Sequence, residues 1–319
     1  MTNSLEPVPA PTADPDLEIG AIVAELRNAR TDWRLAQGRS LEPRGRDLPS
    51  RGVLQGLMAD LHGLLFPMRL GPPDLRQDAE DFYVGSTLDK VLHTLGDQVQ
   101  LELRHSARHA HLSPREAQLR AAHIVRAFAD SLPATRRLLD TDVLAAYYGD
   151  PAAHSVDEVL LCYPGVHAII NHRLAHTLYA LGATLLARLI AELSHGATGI
   201  DIHPGASIGP SFFIDHGTGV VIGETAVIGQ RVRIYQAVTL GAKRFPVDAS
   251  GQLKKGAPRH PVIEDDVVIY AGATVLGRIT IGARATLGGN VWVTHDVPAD
   301  AHLTLAHSHD SGARVPEPV

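Results

Sequence analysis

The chain has a single cysteine, Cys162, among its 319 residues. No intrachain disulfide can form, so burial must hold the fold, as in the reducing cytoplasm where we expect the protein to work. Aromatic residues make up 5%, too few for the core of a large antiparallel sandwich or for a platform that stacks bases. Acids outnumber bases 35 to 29, a formal net charge of -6. Nucleic acid is therefore not an expected partner, and any anionic ligand must be held by local cations. Long apolar runs are missing as well. The stretch 177–190 is interrupted by Thr177, Thr184 and Arg188 and falls short of the ~20 residues that a membrane-spanning helix needs. Residues 1–16 hold four prolines and lack both the basic start and the apolar run of a secretory signal; they are expected to be a disordered tail.

Apolar residues at 45% and charged residues at 20% describe a globular chain long enough for two domains. Apolar positions recur every three or four residues over 17–37, 52–66, 78–106 and 114–147, the pattern of amphipathic helices. Ser113-Pro114-Arg115-Glu116 supplies a hydroxyl N-cap, a first-turn proline and a carboxylate able to reach back. Ser155 and Glu158 repeat the cue. Further helices are expected over 165–179 and 182–195, until Gly196-Ala197-Thr198-Gly199 ends them. Cys162 falls in a helical segment and is expected to be a small buried hydrophobe.

After Gly199 the period becomes six. Ile202, Ile208, Ile214 and Val220 form one series, Ile222, Ile228, Ile234 and Leu240 a second, and Ile263, Ile269, Val275, Ile281, Leu287 and Val293 a third. A hexapeptide repeat of this kind specifies a parallel β-helix, whose coils stack their anchor residues in columns. Glycines at 209, 223, 229, 282 and 288 suit its tight corners. The expected fold class is α+β with two domains: an α-helical domain over 17–199, a left-handed parallel β-helix over 200–300 with an excursion loop at 241–262, and a tail over 301–319.

The repeat breaks twice. Between Ile214 and Ile222 it slips by two residues, so Asp215, His216 and Gly217 must bulge from a corner. Between Leu240 and Ile263 lie far more residues than the six required, an excursion that carries Lys243, Arg244, Lys254, Lys255, Arg259 and His260. Asp201-Ile202-His203 opens the first coil, and stacking sets it beside the first break. A carboxylate there can orient the His216 imidazole as a general base. Asp215, adjacent to His216 in an extended segment, is expected to point away, which favours Asp201 as the partner.

Asp150-Pro151-Ala152, Gly165-Val166-His167-Ala168 with Arg173 and His176, Asp201-Ile202-His203-Pro204, Asp215-His216, Gly223-Glu224-Thr225-Ala226, Thr239-Leu240-Gly241 and Arg259-His260-Pro261 resemble bacterial and plant serine O-acetyltransferases over roughly 145–300. The resemblance implies acetyl transfer from acetyl-CoA to the hydroxyl of L-serine, for cysteine synthesis. It makes His216 the base and Asp201 its orienting partner. Arg259 would hold the substrate carboxylate, Asp150 and Asp215 its ammonium, and His260 would sit against the hydroxyl. Gly241, Ala242, Ala271 and Gly272 match places where the family lays the pantetheine arm, and Lys243, Arg244, Lys254 and Lys255 are candidates to attract the CoA phosphates. Feedback inhibition by L-cysteine and a homotrimer or dimer of trimers are also implied. The long loop, with Lys243-Arg244-Phe245-Pro246 ahead of Arg259-His260, is similar to a long-loop bacterial branch of the family. The chain closes on Val319 where members that dock into cysteine synthase finish with isoleucine, so docking is not expected.

Three other readings compete. In one, the acceptor is homoserine or another hydroxy-amino acid. A γ-type carbonic anhydrase would need zinc at His203, His216 and His260; no metal is expected, and His302, His307 and His309 are expected to be solvated. A silent hexapeptide scaffold would have no need of Asp201, His216, Arg259 and His260 together.

Overall fold

A computed structural model describes residues 19–38, 48–105, 112–244, 251–253 and 256–305. The expectations for residues 1–16, Lys254, Lys255, His307 and His309, and for most of the 301–319 tail, lie outside the described residues. Residues up to Asp47 and those from Leu48 onward form two separate compact units. In the first, α1 (Ile19–Ala36) is an amphipathic helix with no buried residue.

The second unit starts with helices whose boundaries follow local chemistry. α2 (Arg51–Leu65) is capped by Ser50, whose hydroxyl accepts the Val53 N–H, and it buries Leu54, Leu57, Leu61 and Leu64. A short α3 (Pro67–Leu70), which periodicity did not anticipate, begins at a proline. α4 spans Glu80–His105. α5 (Pro114–Gly149) carries the expected capping box, with the Glu116 carboxylate accepting the Ser113 N–H and the Ser113 hydroxyl accepting the Glu116 N–H. α6 (Val156–Cys162) is capped by Ser155 and buries only Val159 and Leu160. Cys162 therefore differs from its expected burial: the seven-residue helix has one narrow inward face, and the thiol is exposed. α7 (Pro164–Ala180) and α8 (Thr184–Thr198) follow, and α8 stops at Gly199, which adopts a left-handed conformation at φ 69°.

From Asp201 the chain coils into three parallel sheets. The first contains β1 (Asp201–Ile202), β4 (Val221–Ile222), β7 (Thr239–Gly241), β10 (Thr274–Leu276) and β13 (Trp292–Val293). The second contains β2 (Ser207–Ile208), β5 (Val227–Ile228), β8 (Val262–Ile263) and β11 (Thr280–Ile281), and the third contains β3 (Phe213–Ile214), β6 (Arg233–Ile234), β9 (Val268–Ile269), β12 (Thr286–Leu287) and β14 (His302–Leu303). The hexapeptide anchors stack in register: Ile202 on Ile222, Ile222 on Leu240, Leu240 on Val275, Val275 on Val293. Ile222 and not Val220 continues the first column; the two extra residues are absorbed in the turn, where Val220 is buried.

The corner glycines serve a purpose other than the expected one. Gly209, Gly223, Gly229, Gly282 and Gly288 are absent from the positive-φ residues, which instead include Ser211, Arg231, Asp266, Arg284 and Asp300 in one column of turns. A Cβ at Gly209 would lie 2.6 Å from the Gly229 carbonyl oxygen in the next coil. Close approach between coils, not backbone freedom, requires these glycines. The strained turn residues are cross-tied by Arg231–Asp266 and Arg284–Asp300, both at 2.6 Å.

Within this unit one hydrophobic cluster runs from Leu54 to Val297. At its middle the Arg173 guanidinium forks onto Asp142 at 2.6 and 2.8 Å and donates to the Ile208 and Gly209 carbonyls, while Asp142 also accepts the Phe212 N–H. Removing one partner of so buried a pair costs about 3–5 kcal/mol. α5 and α7 are thereby fixed to the first coil.

Candidate active site

The predicted residues gather at two successive turns of the β-helix. The turn after β3 holds Asp215 and His216. His216 has φ 58°, and Gly217 follows at φ 87°. The left-handed backbone curls the segment, so the two side chains converge: the Asp215 carboxylate lies 3.7 Å from His216 Nδ1. The expectation that Asp215 points away assumed an extended backbone and is corrected here. Asp201, at the start of β1, makes no ion pair with His216 within 4 Å in the single chain; its N–H donates to the Val220 carbonyl at the end of the same turn. His216 is 72% exposed while Asp215 is nearly buried.

Helical residues complete this turn. Asp150 caps α5, accepting the Ala152 N–H on one oxygen and the Tyr163 hydroxyl on the other, the latter at 2.5 Å. The Tyr163 hydrogen bond holds the Asp150 carboxyl below its ordinary value, and the same bond pushes Tyr163 up to about 12. Arg233 donates to Asp215 at 3.2 Å and lies 5.0 Å from the rings of both Phe213 and Tyr235. α7 comes close because Gly165 packs against the Ile214 backbone, where a Cβ would collide. Two carboxylates, a guanidinium, a phenol and an accessible imidazole thus share one turn.

The turn between β4 and β5 receives the end of the long loop. The Thr225 hydroxyl oxygen accepts the N–H groups of Arg259 and His260 at 2.9 and 3.1 Å, and its proton points to His260 Nδ1 at 2.9 Å. The Thr225 N–H also donates to that Nδ1, at 3.0 Å. Nδ1 is an acceptor, so the neutral ring carries its proton on Nε2. Burial, reinforced by the Arg259 charge, pushes His260 down to about 4. Its ring rests on Gly223, where a Cβ would overlap it. Arg259 donates to Glu224 at 2.7 Å and to the Ala257 carbonyl at 3.3 Å. Glu224 also accepts the Tyr179 hydroxyl at 2.9 Å. His203, edge-on to Tyr179 with 5.6 Å between ring centroids, is pushed down to about 4, chiefly by burial.

The candidate donor-site residues lie in later coils, at the turns after β7 and after β9. Gly241, at the end of β7, pairs with Leu276 of β10 and accepts the Gly277 N–H, and Ala242 follows it. Ala271 and Gly272 lie at the opposite end of that face, where Ala271 accepts the Asn290 N–H and Gly272 has φ 72°. Lys243 and Arg244 join Arg259 and Arg278 around a cavity of about 280 Å³ with Leu276 and Ile279 in its wall. Among the described residues no group of three or more His, Cys, Asp or Glu side chains is arranged to hold a metal ion. His203 follows β1, His260 packs on the second turn, and His216 sits at the first.

Tyr163, Tyr179 and Arg233 were not singled out in the sequence. Glu224 and Thr225 appeared there within a motif but without a role. The usable signals were Tyr163 ahead of the α7 proline and Tyr179 three residues after His176 on one helix.

Comparison with known proteins matches residues 260–295 to the family model described as bacterial transferase hexapeptide (six repeats). A serine acetyltransferase of Synechococcus elongatus, designated plasmid, is 55% identical over 291 residues, 90% of this chain and 91% of that protein. The serine acetyltransferase of Mycobacterium tuberculosis is 50% identical over 177 residues, 56% of this chain and 73% of that one. Among solved structures, Entamoeba histolytica serine acetyltransferase 1 in complex with L-cysteine superposes with a TM-score of 0.68 at 40% identity, covering 78% of this chain and 86% of that one. Neisseria gonorrhoeae serine acetyltransferase in complex with serine gives 0.51 at 30% identity, over 78% and 94%.

Proposed function

The chain belongs to the serine acetyltransferases, and on that premise we propose how its own residues carry out the reaction. The enzyme transfers an acetyl group to the hydroxyl of L-serine, giving O-acetylserine for cysteine biosynthesis; the observation that carries this is 55% identity across nine-tenths of the chain. Acetyl-CoA is the donor, laid along Gly241, Ala242, Ala271 and Gly272, with Lys243, Arg244 and Arg278 available to its phosphates.

His216 takes the proton from the serine hydroxyl as its oxygen attacks the thioester carbonyl. Positioned base catalysis of this kind contributes about 10²- to 10⁴-fold. The neutral His260 can stabilise the oxyanion through Nε2–H, without the protonated ring that an unshifted histidine would suggest. As the tetrahedral adduct collapses, the C–S bond breaks and His216 returns the proton to the thiolate. Asp150 and Asp215 take the substrate ammonium and Arg259 its carboxylate. Asp201 orients His216 once the exposed imidazole rotates toward β1.

The two groups of residues lie at different turns of one chain, which supports a site built between neighbouring β-helices in a homotrimer, the first turn of one copy facing the second turn of the next. L-Cysteine offers the same ammonium and carboxylate as serine and is proposed as a competing inhibitor. A reducing cytoplasm suits the exposed Cys162 thiol.

The experiment is thiol release from acetyl-CoA by the purified protein with L-serine, L-homoserine or no acceptor, together with a metal assay. Serine-dependent release that falls at least about 10²-fold in His216→Ala supports the reading. Asp201→Asn should then lower kcat and Asp215→Asn should raise KM for serine. Release with homoserine alone would move the acceptor, and bound zinc with no release would favour a hydratase.

A further inference from the structure

Three side chains of α7 reach the β-helix at three-residue intervals. Arg173 donates to the Ile208 and Gly209 carbonyls, His176 Nδ1 to the Pro204 carbonyl at 2.8 Å, and Tyr179 to Glu224 Oε1 at 2.9 Å. The first two end on backbone and tie a helix to a coil. The third ends on a side chain whose other oxygen, Oε2, accepts from Arg259 Nη2 at 2.7 Å.

Arg259 arrives from a long excursion, so its place is set by what meets it at the turn. Thr225 fixes its backbone N–H at 2.9 Å, and Glu224 fixes its guanidinium. Glu224 has three side-chain torsions, and an unrestrained glutamate loses rotamer freedom on ordering. The Tyr179 hydroxyl, on a packed helix, pins the carboxylate oxygen that Arg259 does not use. Although burial pushes the Glu224 carboxyl up, its bonds to Arg259 and Tyr179 hold it below the ordinary value, so it stays an anion. A guanidinium has five N–H donors, and among the described residues Nη2 donates to Glu224 and Nη1 to Ala257. The remaining donors are left to a ligand carboxylate in an orientation that Glu224 dictates.

We infer that Tyr179 is a positioning residue for the acceptor's carboxylate, acting through Glu224 on Arg259. This rests on the reading of Arg259 as the carboxylate receptor. Tyr179 does not touch the reacting atoms, so its removal weakens capture of carboxylate-bearing acceptors and leaves the chemical step intact.

The test compares L-serine with L-serinamide, which lacks the carboxylate, as acceptors or, for serinamide, as a competitive inhibitor. Tyr179→Phe should raise KM for serine by about tenfold, as expected for one hydrogen bond to a charged group, with kcat and the acetyl-CoA KM little changed and the serinamide constants unmoved. A double variant, Tyr179→Phe with Glu224→Gln, should be no worse than Glu224→Gln alone, because both changes act on one link. Equal losses with serine and serinamide, or effects that multiply in the double variant, would overturn the inference. Should Tyr179→Phe not fold, Glu224→Gln takes its place, and loss of serine capture without loss of serinamide binding is again required. Arg259→Gln separates the two levels. If it harms serine no more than serinamide, the receptor reading itself falls; if it discriminates and Tyr179→Phe does not, only the inference falls.

Discussion

The two turns carry similar residue types in opposite states. At the first, His216 is exposed on a left-handed backbone and its nearest carboxylate is beyond hydrogen-bond range at 3.7 Å. At the second, His260 is buried, bonded through Nδ1 to two groups of Thr225, and pushed to about 4. One imidazole is open to solvent, and the other is a neutral ring held in place. The proposed reaction uses both kinds, His216 as the base that moves a proton and His260 as the donor that stays neutral. The difference arises from the supporting shell: at the second turn Thr225 holds the imidazole itself, whereas at the first Arg233 and Tyr163 hold the carboxylates Asp215 and Asp150 and leave the imidazole exposed.

The largest effect should come from separating the turns onto different chains. His216→Ala and Arg259→Ala homo-oligomers should each be nearly inactive. Denatured together in equal amounts and refolded, they should regain about a quarter of wild-type activity, the statistical share of interfaces that pair an intact first turn with an intact second in a cyclic assembly. Activity that stays at the level of the separate variants would place both turns in one chain's site and break the shared-site proposal.

The sequence made the β-helix legible because each anchor column requires an apolar residue every sixth position, and Ile222, Leu240, Val275 and Val293 keep that register in space. Helix starts were legible where the cap is local, as at Ser113 and Ser155. Features that depend on distant partners were not. Tyr179 and Glu224 are 45 residues apart, and nothing in either neighbourhood announces the other. The direction of Asp215 depends on one backbone angle at His216, a positive φ that few non-glycine residues adopt. The corner glycines stand out in the sequence, but the close approach that requires them is made by the next coil and has no local signal. Cys162 was misplaced because a seven-residue helix gives too little periodicity to tell its inner from its outer face.

Gly223 offers a sharper cut at the second turn alone. A Cβ there would overlap the His260 ring, and the ring cannot retreat while Thr225 holds Nδ1. Gly223→Ala should push His260 out of place and lower kcat by about 10- to 100-fold, the scale expected when one oxyanion donor is weakened. Circular dichroism should stay near wild type, because Gly223 does not have positive φ and alanine fits its backbone. Unchanged kcat would remove His260 from the transition state and leave the second turn with only a carboxylate-binding role.

The smallest effect separates the turns by pH. His260 at the second turn, His203 after β1 and His62 in the helices are each pushed to about 4, mainly by burial. In the unfolded chain a histidine titrates near ~6.5. Between these values the unfolded state binds protons that the folded state does not, so these groups' contribution is fully present above about 6.5 and is lost as pH falls toward 4. Asp150 at the first turn is shifted the other way: its carboxyl is lowered, mainly by Tyr163, so its contribution is lost only as pH falls below the unfolded value of about 3.9. Thermal midpoints should therefore decline between pH 6.5 and 4.5 by several degrees. His260→Asn should flatten that slope without altering the behaviour below pH 4, and Tyr163→Phe should do the reverse. A His260→Asn slope equal to wild type would mean that this ring takes up its proton in the folded state, and the contrast between an exposed imidazole and a buried neutral one would no longer hold.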